Sequence, residues 1–521
     1  MKNKSKKNKI IALALAVLSA AMIFTACAKA NAEEPADGEN VQDVNEKRDS
    51  IVIAVESEPT TLNPYDHAAV VSGYMNQLTY NKLFRIDIDT LEPVPDLVES
   101  YENLDDSTWV FHLKQGVMFH NGEEMTAEDV KASMEYARNF VSSSKYTSFW
   151  TGIEVVDTYT VKITTDGAYA LILNDLAANG NTIVPKSLID AGNDFNENPI
   201  GTGPYIFKEW VLGDSLTFVK NENYFDKDHM PTITDMTWRV IPEGSSRTIA
   251  LETGEVDLVI DVEANDYERI CENEDLAAVE IAGTRMNFFG INTEKAPFDN
   301  IDFRRALSAA IDREAVLTVA VNGRGAATYS PNPQVFPGAT EEGAVPYDPE
   351  AAKDYLEKSG VDTENLIITC ISYTDTTRRT AEVIQGYLNE IGVTMEIESM
   401  DFAAYLSNML DGNFEAVVGG YTSGDMLSYM KGLWHSSSIG ASNVPRINDP
   451  ELDSLIDAAM AQLDTDARTA AVEEICRKVN EQCLMISLYT SSVTRAYNAD
   501  LGGVAVGANG TMLYQDLYWQ E

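Results

Sequence analysis

The chain is 521 residues long and 44% hydrophobic, with 82 acidic against 38 basic residues, a formal net charge of -44. That length spans about three ordinary domains, and the composition can build buried cores. So negative a surface repels phosphate backbones, which argues against nucleic-acid binding, and suits solubility or the capture of cationic ligands.

Lys2, Lys4, Lys6, Lys7 and Lys9 precede an apolar run from Ile10 to about Ala28. The run is too short and wrongly flanked for a transmembrane helix, and reads as an export leader. It ends in Phe24, Thr25, Ala26 and Cys27, which resembles a bacterial lipoprotein cleavage box with Cys27 as the lipidated residue. A plain signal peptide is the alternative. Ala28 to Asp49 is polar, acidic and free of aromatics, the composition of a disordered tether.

Ile51 to Val55 is a compact apolar strand, as expected for a buried sheet position. It runs into a loop with two prolines, Pro59 and Pro64, followed by Tyr65 and His67. Ser72 to Phe84 reads as a helix, with Leu78, Lys82 and Leu83 continuing one side. Trp109, Phe111 and Leu113 alternate with Val110, His112 and Lys114, the period of a strand with one buried face. A turn at Gln115 and Gly116 leads to a second short strand through Val117 and Phe119. Thr126 reads as a helix N-cap with Asp129 three positions on, a variant capping box. Val130, Met134 and Ala137 form the inner stripe of that helix. Val155 to Thr164 alternates again. Gly201 and Gly203 permit a sharp bend and Pro204 fixes its exit. This Gly-x-Gly is no nucleotide loop, because the third glycine and the following helix are missing. Gly213 and Asp214 turn a hairpin between Tyr205 to Phe207 and Ser215 to Lys220.

Trp238 to Glu243 and Arg247 to Leu258 continue as strand, helix and strand, and Arg285 to Asn292 is an apolar strand. Phe303, Leu307, Ala310 and Ile311 line one helical face; Asp312 caps the next helix, which stops at Asn322 and Gly323. Ile367 to Tyr373, Thr380 to Ile391 and Val393 to Ile397 make a βαβ unit and hence parallel pairing. Glu415 to Val418 is a buried strand running into Gly419, Gly420, Tyr421 and Asp425, ahead of an apolar, aromatic segment from Met426 to Trp434. Two helices follow, one opened by Pro450 and one from about Ala467 to Val479.

Cys271, Cys370, Cys476 and Cys483 show no zinc spacing. Cys476 and Cys483 would lie two turns apart on one continuous helix, too far for a disulfide, so free thiols are expected. The five histidines are scattered, with no paired spacing, and no nucleophile elbow, Walker motif or metalloprotease helix occurs. Neither an enzyme, a metal site nor a cofactor is expected.

Leu113, Lys114, Gly116, Val117, Phe119, His120, Gly122, Thr126, Ala127, Asp129 and Val130 together closely resemble the signature of the family 5 solute-binding proteins. These are extracytoplasmic receptors of ABC importers, for peptides and in some members nickel. The segments Leu91 to Ser100, Ile200 to Tyr205, Trp238 to Leu258 and Phe303 to Arg313 resemble the same family. The resemblance implies a periplasmic-binding-protein-like, two-lobed α/β fold of the large three-domain type, with mixed sheets and flanking helices. Domain I would comprise residues 50–88, 200–283 and 486–521, domain II residues 89–199, and domain III residues 284–485, after a leader (1–27) and tether (28–49). The lobes would close by hinge bending near Ile200 and Thr284.

The resemblance further implies a monomeric, lipid-anchored receptor at the outer face of the cytoplasmic membrane. It would deliver small peptides, oligopeptides above all, to a permease and ATPase complex. Asp425 matches the position whose carboxylate meets a peptide's α-amino group, and Tyr421 would supply an aromatic wall. Tyr65, His67 and Trp434 are further expected contacts. Ser372 to Thr377 lacks the arginine with which dipeptide receptors grip the ligand carboxylate, so longer peptides are expected. Alternatives on this fold are a nickel-chelate or oligosaccharide receptor, a hydrolase or a signalling ectodomain.

Overall fold

The computed structural model describes residues 48–66 and 69–520. The leader, Cys27, the tether as far as residue 47, and His67 lie outside the described residues.

The strand Ser50–Val55 is apolar on both faces because it is buried on both. Ile51 and Ile53 pack in one core with Trp238 and Leu216, while Ala54 packs in a second with Ala250 and Leu251. Fully burying a side chain such as Ile53 contributes roughly 1.5–3 kcal/mol. On either side lie the parallel strands Asp235–Val240 and Leu258–Ile260. The hairpin Tyr205–Val211 and Ser215–Lys220 completes this edge, turning at Gly213 as its sequence demands.

At the far side of the same 11-stranded sheet, Ile367–Ser372 runs parallel to both Thr394–Ser399 and Ala416–Thr422. The crossover helix Asp375–Glu390 buries Thr380, Ala381, Ile384 and Leu388 and begins on a Thr374 capping box. Two long antiparallel strands, Leu276–Ile291 and Ile486–Asn498, join the two halves. Their register shifts between Ala282 and Met286 and again between Asn287 and Phe288. Thr284 thus sits on a crossing strand, within the first irregularity. Ile200 does not: it lies outside the sheet, packed against the core of the unit described next.

That unit is a four-stranded antiparallel sheet of Val98–Asp105, Thr108–Leu113, Thr160–Thr165 and Trp150–Asp157. Trp109, Phe111 and Leu113 face a core shared with Val130 and Met134 of the helix Ala127–Ala137. The capping box forms as the sequence suggests, with the Thr126 amide donating to Asp129 Oδ2 at 2.8 Å. The expected second strand at Val117 and Phe119 does not form; an isolated bridge between Met118 and Glu124 stands in its place.

A larger departure concerns the helix expected over Ser72 to Phe84. It spans Val70–Thr79 and stops there. The Thr79 carbonyl accepts the Gly203 amide at 2.9 Å, and the Asp96 carboxylate takes the Asn81 side-chain amide and the Lys82 backbone amide. A Cβ at Gly203 would stand 2.3 Å from the Leu78 carbonyl oxygen, and one at Gly201 2.2 Å from that of Thr79. Both glycines are therefore needed for close approach of two backbones. The helix gives way to an extended segment, and Lys82 falls on it.

Candidate functional site

A cavity of about 1210 Å³ is walled by the segment after the first helix, the α+β unit, and the loop between Ala416–Thr422 and Met426–Trp434 with the helix that follows it. Further parts of the wall are Pro204, Tyr224, Asp226 and His229, and residues near the C-terminus such as Asn509 and Gln515. Asp425 lies on that loop. It has extended backbone and caps the helix Met426–Trp434, its Oδ1 accepting the Ser428 amide at 2.8 Å. Burial raises the Asp425 carboxyl above its ordinary value of 3.8, opposed by hydrogen bonds from Ser428 and Leu427. No cation among the described residues stands near enough to contribute to that balance or to form an ion pair with it.

Across the cavity, Tyr169 donates its hydroxyl to Asp175 Oδ2 at 2.7 Å. Its phenol is driven upward by burial first, then by the charges of Asp175 and of Asp425. Two acids from separate parts of the fold thus act on one hydroxyl, and the resulting field favours a cation. On the wall formed after the first helix stand Lys82 and Arg85.

Tyr421 lines the cavity with its ring edge-on to Tyr429, centroids 5.6 Å apart. Gly432 makes room for it, since a Cβ there would lie 2.2 Å from the Tyr421 hydroxyl oxygen. Trp434 is not on the wall. It is fully buried in the core beneath, edge-on to Tyr429, because the apolar face of its helix turns inward. Tyr65 is likewise fully buried, stacked on Phe140 and donating to the Thr182 carbonyl at 2.8 Å, while its neighbour Pro64 reaches the cavity. Both aromatics serve packing where contact with a ligand was expected. His67 lies outside the described residues. Tyr169, Asp175, Lys82 and Arg85 carry no sequence signal of their own; only the fold brings them here.

The four cysteines of the described residues are free. Cys483 lies beyond the end of the helix Thr465–Glu481, so it does not share a helix with Cys476. No group of three or more metal-ligating side chains occurs among the described residues, and none of their helices is long and apolar enough to cross a membrane.

Comparison with known proteins places this architecture. Residues 92–441 match the model for bacterial extracellular solute-binding proteins, family 5. The chain is 26% identical over 493 residues to heme-binding protein A of Haemophilus influenzae, covering 87% of this chain and 89% of the relative. It is 28% identical over 468 residues to glutathione-binding protein GsiB of Salmonella paratyphi A, covering 87% and 91%. Among solved structures, the ABC transporter-associated periplasmic binding protein DppA from Helicobacter pylori, in complex with peptide STSA, superposes with a TM-score of 0.75. That match has 23% identity and covers 91% of this chain and 99% of the other. With the family model spanning well over half its length, this chain belongs to the bacterial extracellular solute-binding proteins, family 5.

Proposed function

We propose that the protein is the substrate-binding receptor of an ABC importer, holding peptides by their free amino terminus and releasing them unaltered to a permease. The observation that carries this reading is Asp425, a desolvated carboxylate on the cavity wall without a cationic partner among the described residues. A half-buried acid in that condition, partly shielded from water and open to the cavity, suits an ammonium group. Relatives named for glutathione and for a bound peptide support peptides as the ligand class.

Titration calorimetry with tri- to hexa-alanine tests the reading. Asp425→Asn keeps a capping side chain on the helix, so it isolates the charge from the cap. Removing one partner of a buried charge pair costs roughly 2–5 kcal/mol, so affinity should fall about 30-fold or more. Acetylating the peptide should weaken binding to the wild type by a similar factor, and mass spectrometry should recover the peptide intact. Unchanged affinity in the variant would remove Asp425 from the site, and cleaved peptide would make the protein a hydrolase.

We further propose that the receptor is a monomer tethered outside the cytoplasmic membrane through a lipidated Cys27, a reading supported for the anchor by the sequence that ends in Phe24, Thr25, Ala26 and Cys27. Cell fractionation checks the anchor: a Cys27→Ser protein should leave the membrane fraction. Its retention there would mean another attachment.

A further inference from the structure

The cavity wall carries three lysine and arginine side chains, Lys82, Arg85 and Lys431. Lys431 lies on the helix that Asp425 caps, while Lys82 and Arg85 stand together on a separate wall. Lys82 lies on the extended segment that follows the first helix, and its Nζ meets a neutral acceptor, Asn179 Oδ1, at 3.1 Å. Among the described residues it has no carboxylate within 4.0 Å. The nearest acid acting on it is Asp96, whose oxygens are already occupied by the Asn81 side chain and the Lys82 backbone amide. Burial destabilises the Lys82 ammonium, and Asp96 only partly offsets that. Arg85, three residues on, is half-buried on the same wall. Its backbone pairs with Val94, while its guanidinium forms no ion pair or hydrogen bond among the described residues and acts on Asp87 and Tyr224 only through its charge.

Lys82 is half-buried, and an ammonium partly shielded from water without a close anion is costly, while a protein with 82 acidic residues has no shortage of partners to supply. Asp425 is in the opposite condition, a half-buried acid without a cation in ion-pair reach among the described residues. Neither pole neutralises the other, because no lysine or arginine figures among the groups acting on Asp425. The cavity therefore presents an acid without an ion-pair partner on one wall and two cations without one on another.

We propose that Lys82 and Arg85 form a carboxylate-binding subsite, so that the preferred ligand is a zwitterion whose amine meets Asp425 while its carboxylate meets these two cations. This rests on the peptide reading above and narrows it. The far end of the ligand is held rather than left open, and short peptides with free termini are preferred over long or amidated ones. The lysine supplies a compact charge, and the guanidinium can take both carboxylate oxygens at once. The carboxylate could be the peptide's own terminus or an acidic side chain, and the test separates the two.

Calorimetry would compare tri- to hexa-alanine, their C-terminal amides, and Ala-Glu-Ala amide, whose only carboxylate is on a side chain. Hydrogen bonds to a charged group are worth about 1.5–3 kcal/mol, so on the order of tenfold to a hundredfold in affinity is at stake. The free-acid peptides should lose that factor on amidation, and again on Lys82→Met or Arg85→Gln. The amides should bind wild type and variants alike, and Lys82→Arg should restore most of the loss. Recovery of affinity by Ala-Glu-Ala amide would assign the subsite to side-chain carboxylates; its failure would assign it to the terminus. Equal binding of acids and amides by the wild type would overturn the subsite while leaving the amino-terminal reading standing. Equal loss for acids and amides in the variants would reduce Lys82 and Arg85 to structural residues. Failure of every unblocked peptide to bind the wild type would end the peptide reading itself, and this inference with it.

Discussion

Asp425 does two things with one carboxylate, and they pull its titration in opposite directions. As an N-cap it accepts the Ser428 amide, which favours the charged form; as a desolvated group it is pushed toward the neutral form, and burial dominates. Its folded-state pKa is raised, so in the ligand-free protein its contribution to stability is present below the unfolded value and is lost as pH rises through the folded one. A bound ammonium reverses the balance by favouring the carboxylate. Affinity for an unblocked peptide should therefore follow a bell. It falls on the acid side as Asp425 takes up a proton, beginning above the ordinary carboxylate value of 3.8. It falls on the basic side as the peptide's own amine, with a pKa of about 7.7–8.0, loses its charge. Calorimetry across pH checks this: both limbs should flatten in Asp425→Asn, since the acid limb is that carboxylate's own proton and the basic limb its demand for a charged amine. An acid limb that survives the substitution would assign it to another group.

How far the elements were legible depended on whether a local rule or a distant partner decided them. The βαβ unit from Ile367 to Ser399, the Thr126 capping box and the Gly213 hairpin each follow from residues within one or two turns, and each forms. The first helix fails at Thr79 for a reason no window contains: its carbonyl is claimed by Gly203, more than a hundred residues on. Lys82 consequently lies on the extended segment after the helix, which places it on the cavity wall and not on a helical packing face. Trp434 shows the converse. An aromatic at the end of an apolar stripe fits core and site equally well, and here the inward face of the helix settles it as core. Asp425 was legible as a residue through its family motif. Asp175 was not, since one acid among 82 becomes notable only when the fold sets it against Tyr169.

At the scale of the whole molecule, the two halves of the large sheet are joined by Leu276–Ile291 and Ile486–Asn498, whose pairing is interrupted around Thr284. Bending there disturbs few ladder hydrogen bonds, because several are already missing. The Thr284 amide is instead held by the Ala508 carbonyl at 3.0 Å. Beside the cavity, the Ala170 amide meets the Met460 carbonyl at 2.9 Å, and Leu171 packs among residues of the helix Met426–Trp434. These contacts tie the α+β unit to the half that carries Asp425, and opening the cavity would break them. A ligand that pairs with Asp425 on one side and Lys82 on the other favours the arrangement in which both are within reach, and shifts the population toward it by its differential affinity. Small-angle scattering should accordingly show a smaller radius of gyration for the wild type with saturating trialanine than without it. Asp425→Asn at the same peptide concentration should show little change, having lost one of the two handles. An unaltered radius at calorimetrically verified saturation of the wild type would mean that the cavity fills without closing, and that the irregular crossing strands are not a hinge.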